Sequence, residues 1–219
     1  MSGSQNFGTT KLRSFVATSF DRSDGYIENT DFKNLNIYLH TSYTLDKAEL
    51  NVFAGYQDKG FGANSFYTPK YPNQYEATKT ILGSVSLDKS WKNYALKTAG
   101  YYRKHTDRFE LFRINPASWY TGHNYHATDV YGGKLSVGRF YQWGKTEAGF
   151  ELRREAILSN KFGSPLTDSV MVWGEKVYYK KGDSRNHFLA YATQGFFFEQ
   201  FSFSLGGQYN HSNKFGDIW

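Results

Sequence analysis

Two consecutive stretches in which apolar and polar residues alternate constrain the fold of this chain more than any other feature. Apolar or aromatic residues occupy nearly every second position from Leu35 to Leu45 and every second position from Ala48 to Tyr56. A period of two is typical of β-strands that have one apolar and one polar face. The dipeptide Asp46-Lys47 joins the two stretches, and a loop from Lys59 to Glu76 precedes the next alternating stretch, around Ile81. Strand, tight turn, strand, long loop and strand is the pattern of a transmembrane β-barrel.

The composition excludes a helical membrane protein and favours a barrel. The mean hydropathy is −0.64, and no apolar run approaches the roughly 20 residues that a membrane-spanning helix needs. The chain nevertheless has 18 Tyr, 19 Phe and 5 Trp, which is far more aromatic surface than a hydrophilic soluble domain usually carries. In a barrel, only alternate strand residues face lipid and aromatic girdles lie at both interfaces. The absence of cysteine excludes a disulfide-built scaffold.

The net charge of +6 does not predict a nucleic-acid partner. The lysines and arginines are scattered along the chain and form no long basic run. A basic outer rim that faces lipopolysaccharide phosphates is one interpretation. The other is that the positive charge of this chain is balanced by other parts of a longer protein.

The alternation predicts an all-β fold, an antiparallel transmembrane β-barrel segment of about nine strands with short periplasmic turns and long extracellular loops. The expected strands are Lys11–Phe20, Phe32–Leu45, Ala48–Tyr56, Thr78–Leu87, Tyr94–Arg103, Tyr131–Trp143, Thr146–Leu158, His187–Phe198 and Phe201–Tyr209. All four prolines fall in the long segments between these strands, as expected for a residue that cannot donate to a strand ladder.

Three segments carry a resemblance to a known family: FGANSFYTPKYPNQYEATKT, YHATDVYGGKLSV and FELRREAILSNKFG. Together they resemble the barrel of TonB-dependent outer-membrane receptors, of the iron-complex and cobalamin type found in Bacteroidota. The resemblance extends from about Phe32 to Trp219. It implies a protein of the bacterial cell outer membrane that imports a scarce metal-containing nutrient, namely a ferric siderophore, haem or cobalamin. The implied partners are outer-membrane lipid, lipopolysaccharide, a metal-chelate small molecule and TonB.

The family contacts TonB through a plug domain, and no segment here resembles the plug or the TonB-contacting box. An odd number of strands is also inconsistent with a complete bacterial barrel, in which both chain ends lie on the periplasmic side. The stretch from Asn213 to Trp219 is not typical of a closing strand. We therefore expect residues 1–219 to be a partial receptor β-barrel domain, with TonB acting through the missing plug and with no cofactor of its own.

No enzymatic motif is present, and we expect no catalytic residue. Two histidines, His123 and His126, have a spacing that could suit a metal, but without a third ligand they predict no metal site. The best candidates for substrate contact are loop aromatics and these histidines, because exposed Tyr and Trp give rigid contact area with a polar tip. The candidates are Phe66, Tyr67, Tyr71, Tyr75, Trp119, Tyr120, His123, Tyr125 and His126. Packing of the loops against each other is the alternative role.

A second candidate site is a charge cluster in the Thr146–Leu158 strand. Glu151, Arg153 and Glu155 share the polar phase and are predicted to face the lumen. They could contact a plug domain or line a transport path. Cross-strand ion pairs along a wet interior are the structural interpretation, which the spacing favours.

Two other functions remain open from the sequence. A small closed barrel of eight or ten strands would be an adhesin or a structural outer-membrane protein. A soluble lipocalin-like barrel would bind a ligand, and its apolar face would then point inward. Dependence of solubility on detergent separates the soluble barrel from the two membrane proteins.

Overall fold

The computed structural model describes residues 1–214 and the backbone of 216–218, and it contains one antiparallel β-sheet. Twelve strands form the sheet in this part of the chain. They are β1 (Ser2–Gly8), β2 (Leu12–Ser23), β3 (Phe32–Leu45), β4 (Ala48–Gly62), β5 (Tyr75–Trp91), β6 (Tyr94–Glu110), β7 (Asn124–Tyr141), β8 (Gly144–Ser159), β9 (Ser164–Met171), β10 (Tyr178–Phe197), β11 (Ser202–Ser212) and β12 (Gly216–Ile218). Phe215 and Trp219, in the predicted non-closing stretch, lie outside the described residues.

Each strand pairs with its neighbour in the sequence, except that β10 pairs with both β8 and β11 while β9 pairs with β10 alone. Over the described residues the two edge strands, β1 and β12, do not pair with each other, so the sheet is open. The predicted fold class, an antiparallel sheet of the outer-membrane barrel type, is confirmed. No helix that is long and apolar enough to cross a membrane occurs in residues 1–214 or 216–218.

The sheet has more strands than the nine expected from the sequence, because β1, β9 and β12 lack a clear alternation. The segment Ser2–Gly8 is polar and fully exposed, and its extended form follows from pairing with β2, from Ser2 opposite Ser19 to Gly8 opposite Arg13. Strand β9 contains Pro165, which a strand at the edge of a sheet tolerates. Tertiary pairing therefore extends the sheet beyond what the residue pattern predicts.

Several strands are also longer than expected, which shortens the central loop. Pairing between β4 and β5 continues up to Gly62 opposite Tyr75. The loop therefore covers only residues 63–74, instead of the predicted Lys59 to Glu76. Strand β10 likewise begins at Tyr178, inside the segment predicted as a long loop.

Short turns and long loops lie at opposite ends of the sheet, as predicted. At one end, two-residue turns join β3 to β4, β5 to β6 and β7 to β8. Lys47 and Lys92 adopt positive φ angles of 58° and 48° in two of these turns, as tight hairpins require. At the other end lie loops 24–31, 63–74 and 111–123, which makes this end the place where a site can be built.

The strand registers place one apolar and one polar residue set on opposite faces of the whole sheet. On the apolar face, Leu39 lies opposite Ala54, which lies opposite Gly83. On the polar face, Ser42 donates to Asn51 Oδ1 at 2.6 Å and Gln57 Nε2 donates to Asn36 Oδ1 at 2.8 Å. The apolar set is left without protein cover, since most of its large side chains are 36% exposed or more.

The upper limit of the apolar face is a line that steps regularly across the strands. On each strand the first charged, amide or imidazole residue of that face marks the limit. These residues are Lys33, Asp58, Lys79, Lys104, Asp129, Arg154, Asn186 and His211 on β3 to β8, β10 and β11. The limit residue of one strand does not always pair with the limit residue of the next. Added up over the seven steps from β3 to β11, the limit shifts by about eight residues along the paired strands, or about one residue per strand.

This stagger fixes the tilt of the strands relative to the apolar band. With a rise of about 3.3 Å per residue and about 4.8 Å between strands, the shift of about eight residues over seven strand steps corresponds to a tilt of about 40°. Strands of closed β-barrels tilt by about 35–45° for the same geometric reason. The apolar band therefore has a constant height only if the strands tilt as they do in a barrel.

One close approach on the polar face tests the register. A Cβ on Gly132 would lie 2.6 Å from Tyr101 Oη and 2.7 Å from the Leu152 carbonyl oxygen, whereas a Cβ on Gly100 would meet nothing within 4 Å. Tyr101 lies directly opposite Gly132 and donates its hydroxyl hydrogen to Glu151. We expect Gly132→Val to displace this tyrosine and to lower the free energy of unfolding by about 1–3 kcal/mol.

The measurement is urea-induced unfolding followed by circular dichroism, with Gly100→Val, on the apolar face of the neighbouring strand, as the control. The control should unfold within about 0.5 kcal/mol of the parent protein. Equal losses in the two variants would contradict the register assigned to β6 and β7.

Candidate functional site

Three loops are tied together at the long-loop end of the sheet. Arg113 donates from both terminal nitrogens to the Asp31 carboxylate, at 2.5 and 3.0 Å. Asn29 Nδ2 donates to the backbone carbonyl oxygens of Pro72 and Gln74, at 2.9 and 2.6 Å. These residues belong to loops 24–31, 63–74 and 111–123, so their contacts hold the three loops together as one unit. We name this unit the loop clasp; its residues are Asn29, Asp31, Pro72, Gln74 and Arg113.

The charges in the loop clasp reinforce one another. The hydrogen bonds from Arg113 lower the pKa of Asp31, and its carboxylate in turn raises the pKa of Arg113. The guanidinium also lies 4.2 Å from the centre of the Tyr75 ring, within the range of a cation–π contact. Burial raises the pKa of the Tyr75 phenol, so Tyr75 stays neutral beneath the arginine.

Tyr75 is therefore not the exposed loop aromatic that the sequence predicted. It is the first residue of β5 and is buried, because the pairing of β4 with β5 extends to the Gly62–Tyr75 pair. Its hydroxyl points at Gly60, where an added Cβ would lie 2.3 Å from it. Through its ring, Tyr75 packs against the Arg113 guanidinium of the loop clasp.

Three of the predicted contact residues pack the loops against each other. The Phe112 ring lies 5.3 Å from Tyr71, 5.6 Å from Trp119 and 5.3 Å from Tyr120. These edge-to-face distances are typical of a packed aromatic cluster. The alternative role considered for Tyr71, Trp119 and Tyr120, loop packing, thus describes their main contacts, although Trp119 keeps 57% of its surface exposed.

The two histidines do not converge. His123 Nδ1 lies 3.0 Å from the Tyr120 hydroxyl, whereas His126 lies on the polar face of β7 and stacks on Phe162 at 5.7 Å. Among the residues that the structure describes, no group of three or more His, Asp or Glu side chains is placed to hold a metal ion.

Phe66 and Tyr67 reach over the polar face and remain accessible. Phe66 is 74% and Tyr67 54% exposed, and the Tyr67 ring packs edge-on against Phe109 at 5.2 Å. The Tyr67 hydroxyl donates to Glu76, and burial together with this hydrogen bond raises its pKa to about 12. Tyr67 therefore presents a neutral ring, with Phe66 beside it at 4.9 Å.

Tyr125 lies on the opposite side of the sheet from these two residues. It belongs to β7, faces the apolar side and is 5% exposed, packed with Ala127, Val172 and Tyr179. The sequence placed it in a loop because the alternation of β7 is clear only from Tyr131 onward. In the structure a hairpin that includes β9 covers it, so Tyr125 is not an exposed contact residue.

The predicted charge cluster of β8 is a cross-strand network on the polar face. Arg153 Nε lies 3.0 Å from Glu155 Oε1, and Arg185 of β10 lies 2.6 Å from Glu155 Oε2. Glu151 accepts a hydrogen bond from Tyr101 of β6. This arrangement is the ladder of ion pairs that the structural interpretation described. Contact of these residues with a plug domain stays a prediction.

The sequence analysis missed the residues of the loop clasp and the partners of the charge cluster. Asp31 and Arg113 are 82 positions apart, and neither belongs to a motif. The polar phase of β6 and β10 does include Tyr101 and Arg185. Only the strand registers, which the sequence does not give, bring these side chains next to Glu151 and Glu155.

No protein-family model and no curated protein matches the sequence, but several solved structures share its fold. The siderophore receptor PirA from Pseudomonas aeruginosa superposes with a TM-score of 0.69 at 12% identity, over 100% of this chain and 34% of PirA. A variant of the ferric enterobactin receptor PfeA from the same organism gives 0.70 at 15% identity, over 100% and 37%. The outer-membrane transporter YddB from Escherichia coli gives 0.67 at 13% identity, over 99% and 34%.

The chain thus spans about a third of the length of each of these receptors. At such low identities the likeness establishes the fold and not the ligand or the activity. The described strands therefore have the arrangement found in part of the barrels of these outer-membrane proteins.

The loop clasp should control how often these three loops open. We expect Asp31→Asn to speed chymotrypsin cleavage in loop 111–123 by up to about fivefold, since a half-exposed ion pair contributes up to about 1 kcal/mol. Asp24→Asn, which removes the fully exposed partner of Arg22, is the matched control and should leave the cleavage rate unchanged. Equal rates in all three proteins would contradict the clasp.

The same ion pair predicts how the stability of the three loops depends on pH. The pKa of Asp31 is lower in the folded protein than its ordinary value of about 3.9. Its stabilisation of the loops is therefore complete above that value and is lost as the pH falls through the lowered pKa.

Proposed function

We propose that this chain forms part of the wall and outer loops of a TonB-dependent outer-membrane receptor that imports a metal-chelate nutrient. The observation that carries the proposal is the agreement of fold, over essentially the whole chain, with receptors described as siderophore and ferric enterobactin receptors. Because the chain spans about a third of those proteins, transport is a property of the whole receptor. Energy supplied by TonB through a plug domain belongs to this proposal.

The dimensions of the apolar band support a position in the outer membrane. On β7 the band runs from Tyr141 to Tyr131, and ten residues tilted by about 40° rise about 25 Å. This is the height of the apolar belt of outer-membrane barrels. Aromatic pairs lie at the short-turn limit of the band, where Trp91 stacks on Tyr94 at 5.9 Å and Tyr141 on Trp143 at 4.8 Å, as girdles at a membrane interface do.

The outer loops are the proposed site of ligand contact. Phe66 and Tyr67 are accessible, lie above the polar face and carry no charge, which suits a bulky chelate with aromatic or macrocyclic parts. Trp119 and His126 are further candidates. A ferric siderophore, haem or cobalamin would each fit this description, and the proposed partner is thus a metal chelate bound as cargo.

Neither alternative function is favoured by the geometry. A closed barrel of eight or ten strands has fewer strands than the eleven that follow one another along this open sheet. A lipocalin-like barrel would cover its apolar face with its own side chains, but Ile81, Val85 and Leu152 are each at least half exposed. The fold neighbours are transport receptors, in keeping with a protein that is not an enzyme.

The membrane position can be tested at the middle of the band. Val85 faces the apolar side of β5, and the adjacent Ser84 faces the polar side. We expect Val85→Arg to cost about 2–4 kcal/mol of folding free energy at the bilayer midplane, which would lower the amount of folded protein in purified outer membranes. Ser84→Arg, the matched control, places the same charge in the wet interior and should be recovered at the parent level. Equal recovery of both variants would contradict a lipid-facing band.

Transport is tested in cells that produce the protein from its own gene. We expect uptake of one of three labelled ligands, a ferric siderophore, haem or cobalamin, and loss of that uptake in cells without TonB. The double variant Phe66→Ala with Tyr67→Ala should reduce ligand affinity by about tenfold or more, because two aromatic contact surfaces are lost. Tyr26→Ala, at a still more exposed aromatic position in loop 24–31, is the control. Absence of uptake of all three ligands would refute the proposed function.

A further inference from the structure

A hairpin overhangs the apolar side of the sheet above the band. Strand β9 pairs with the first residues of β10, and a register shift between Tyr179 and Lys181 interrupts this pairing. Val172 and Tyr179 pack on the apolar-side cluster of β7. Glu175 accepts a hydrogen bond of 2.9 Å from Arg108 Nη1 on β6. The hairpin is therefore held against the outside of the sheet rather than over its polar face.

The overhang encloses a cavity against the strands. Small side chains of the apolar side, Ala77, Thr106 and Ala127, form its floor, and hairpin residues from Val170 to Glu175 form its far wall. Three lysines and one aspartate line the side of the cavity that faces the apolar band: Lys33, Lys79, Lys104 and Asp58. These four residues are also the first polar residues above the band on β3 to β6, so the cavity opens directly onto the upper limit of the band.

Two lysines of this rim form weak ion pairs. Lys79 lies 3.6 Å from Asp58, and Lys104 lies 3.1 Å from Asp129. Their side chains are 53% and 42% exposed, and exposed pairs of this kind contribute little free energy. A phosphate group, with its greater charge and three acceptor oxygens, can therefore recruit both ammonium groups.

The lip of the cavity is apolar although it is exposed. Trp173 is 91% and Met171 59% exposed at the turn of the hairpin. An exposed tryptophan beside lysines at the edge of an apolar band is the arrangement of a membrane-interface anchor. A soluble anion would make no favourable contact with this apolar lip. A lipid, in contrast, places its acyl chains against the band and its phosphorylated headgroup against the lysines.

We infer that the cavity under the β9 hairpin binds the phosphorylated sugar headgroup of an outer-leaflet glycolipid of the lipopolysaccharide class. Lys79 and Lys104 contact the phosphate, Trp173 lies against the acyl–headgroup boundary, and the small floor residues leave room for a sugar ring. This inference rests on the proposed membrane position of the band. It assigns a lipid site on the outside of the barrel wall, separate from the ligand-contact loops above the polar face.

The test uses the full protein purified in mild detergent from outer membranes. We expect the parent protein to bind diphosphorylated lipid A and the variant Lys79→Gln with Lys104→Gln to bind it about 30-fold more weakly, about fivefold for each lysine removed. Binding is measured as lipid A retained per protein by native mass spectrometry. Lys89→Gln is the matched control, since Lys89 lies on the same face of β5 at the opposite limit of the band, and it should retain lipid A like the parent.

Two further measurements identify the source of the phosphate and the role of the apolar lip formed by Met171 and Trp173. Dephosphorylated lipid A should bind as weakly as diphosphorylated lipid A binds to the double lysine variant, and inorganic phosphate in millimolar excess should displace little lipid. Brominated lipid should quench the fluorescence of the parent protein more than that of Trp173→Phe. Equal lipid A retention by the double lysine variant and the parent, or equal binding of the dephosphorylated lipid, would overturn the inference.

Uptake measured on the same variants separates this inference from the proposed function. The double lysine variant should import the metal chelate at the parent rate while losing lipid A. Lipid A binding without any uptake would sustain the lipid site and refute transport, whereas uptake with unchanged lipid A retention in the double variant would refute the lipid site alone.

Discussion

The backbone hydrogen-bond ladder is the constraint on which the rest of this structure depends. From β1 to β8 the pairing runs without a register shift. Because side chains alternate between the faces, a slip of one residue on any strand would move its whole apolar set to the other face. The unbroken register therefore keeps one continuous apolar face and one continuous polar face, and it produces the regular stagger from which the strand tilt follows.

The two faces differ in how their side chains are contacted. On the polar face, neighbouring side chains satisfy one another, as in the network of Tyr101, Glu151 and Arg153. On the apolar face most of the large side chains are left at least 36% exposed by the protein. The proposed sites lie where the ladder ends, in loops held by the Asp31–Arg113 pair and in the hairpin of β9.

The separation of the loop aromatics into two groups follows from geometry. Tyr71, Trp119 and Tyr120 surround Phe112 and stiffen the loops, whereas Phe66 and Tyr67 project above the polar face. Tyr125 lies behind the sheet under the hairpin. Residues that look equivalent in composition therefore differ in role, since the parity of each strand position decides which side of the sheet a ring occupies.

The sequence by itself determined the all-β class, the Asp46-Lys47 hairpin and the polar phase of Glu151, Arg153 and Glu155, because alternation and turn residues act over a few neighbouring positions. Only the tertiary structure decided the strand status of Ser2–Gly8 and Ser164–Met171, whose extended form depends on the strands beside them. It also decided the Asp31–Arg113 contact across 82 positions and the side on which Tyr125 lies. Such contacts depend on register and on long-range pairing, which no local pattern of residues specifies.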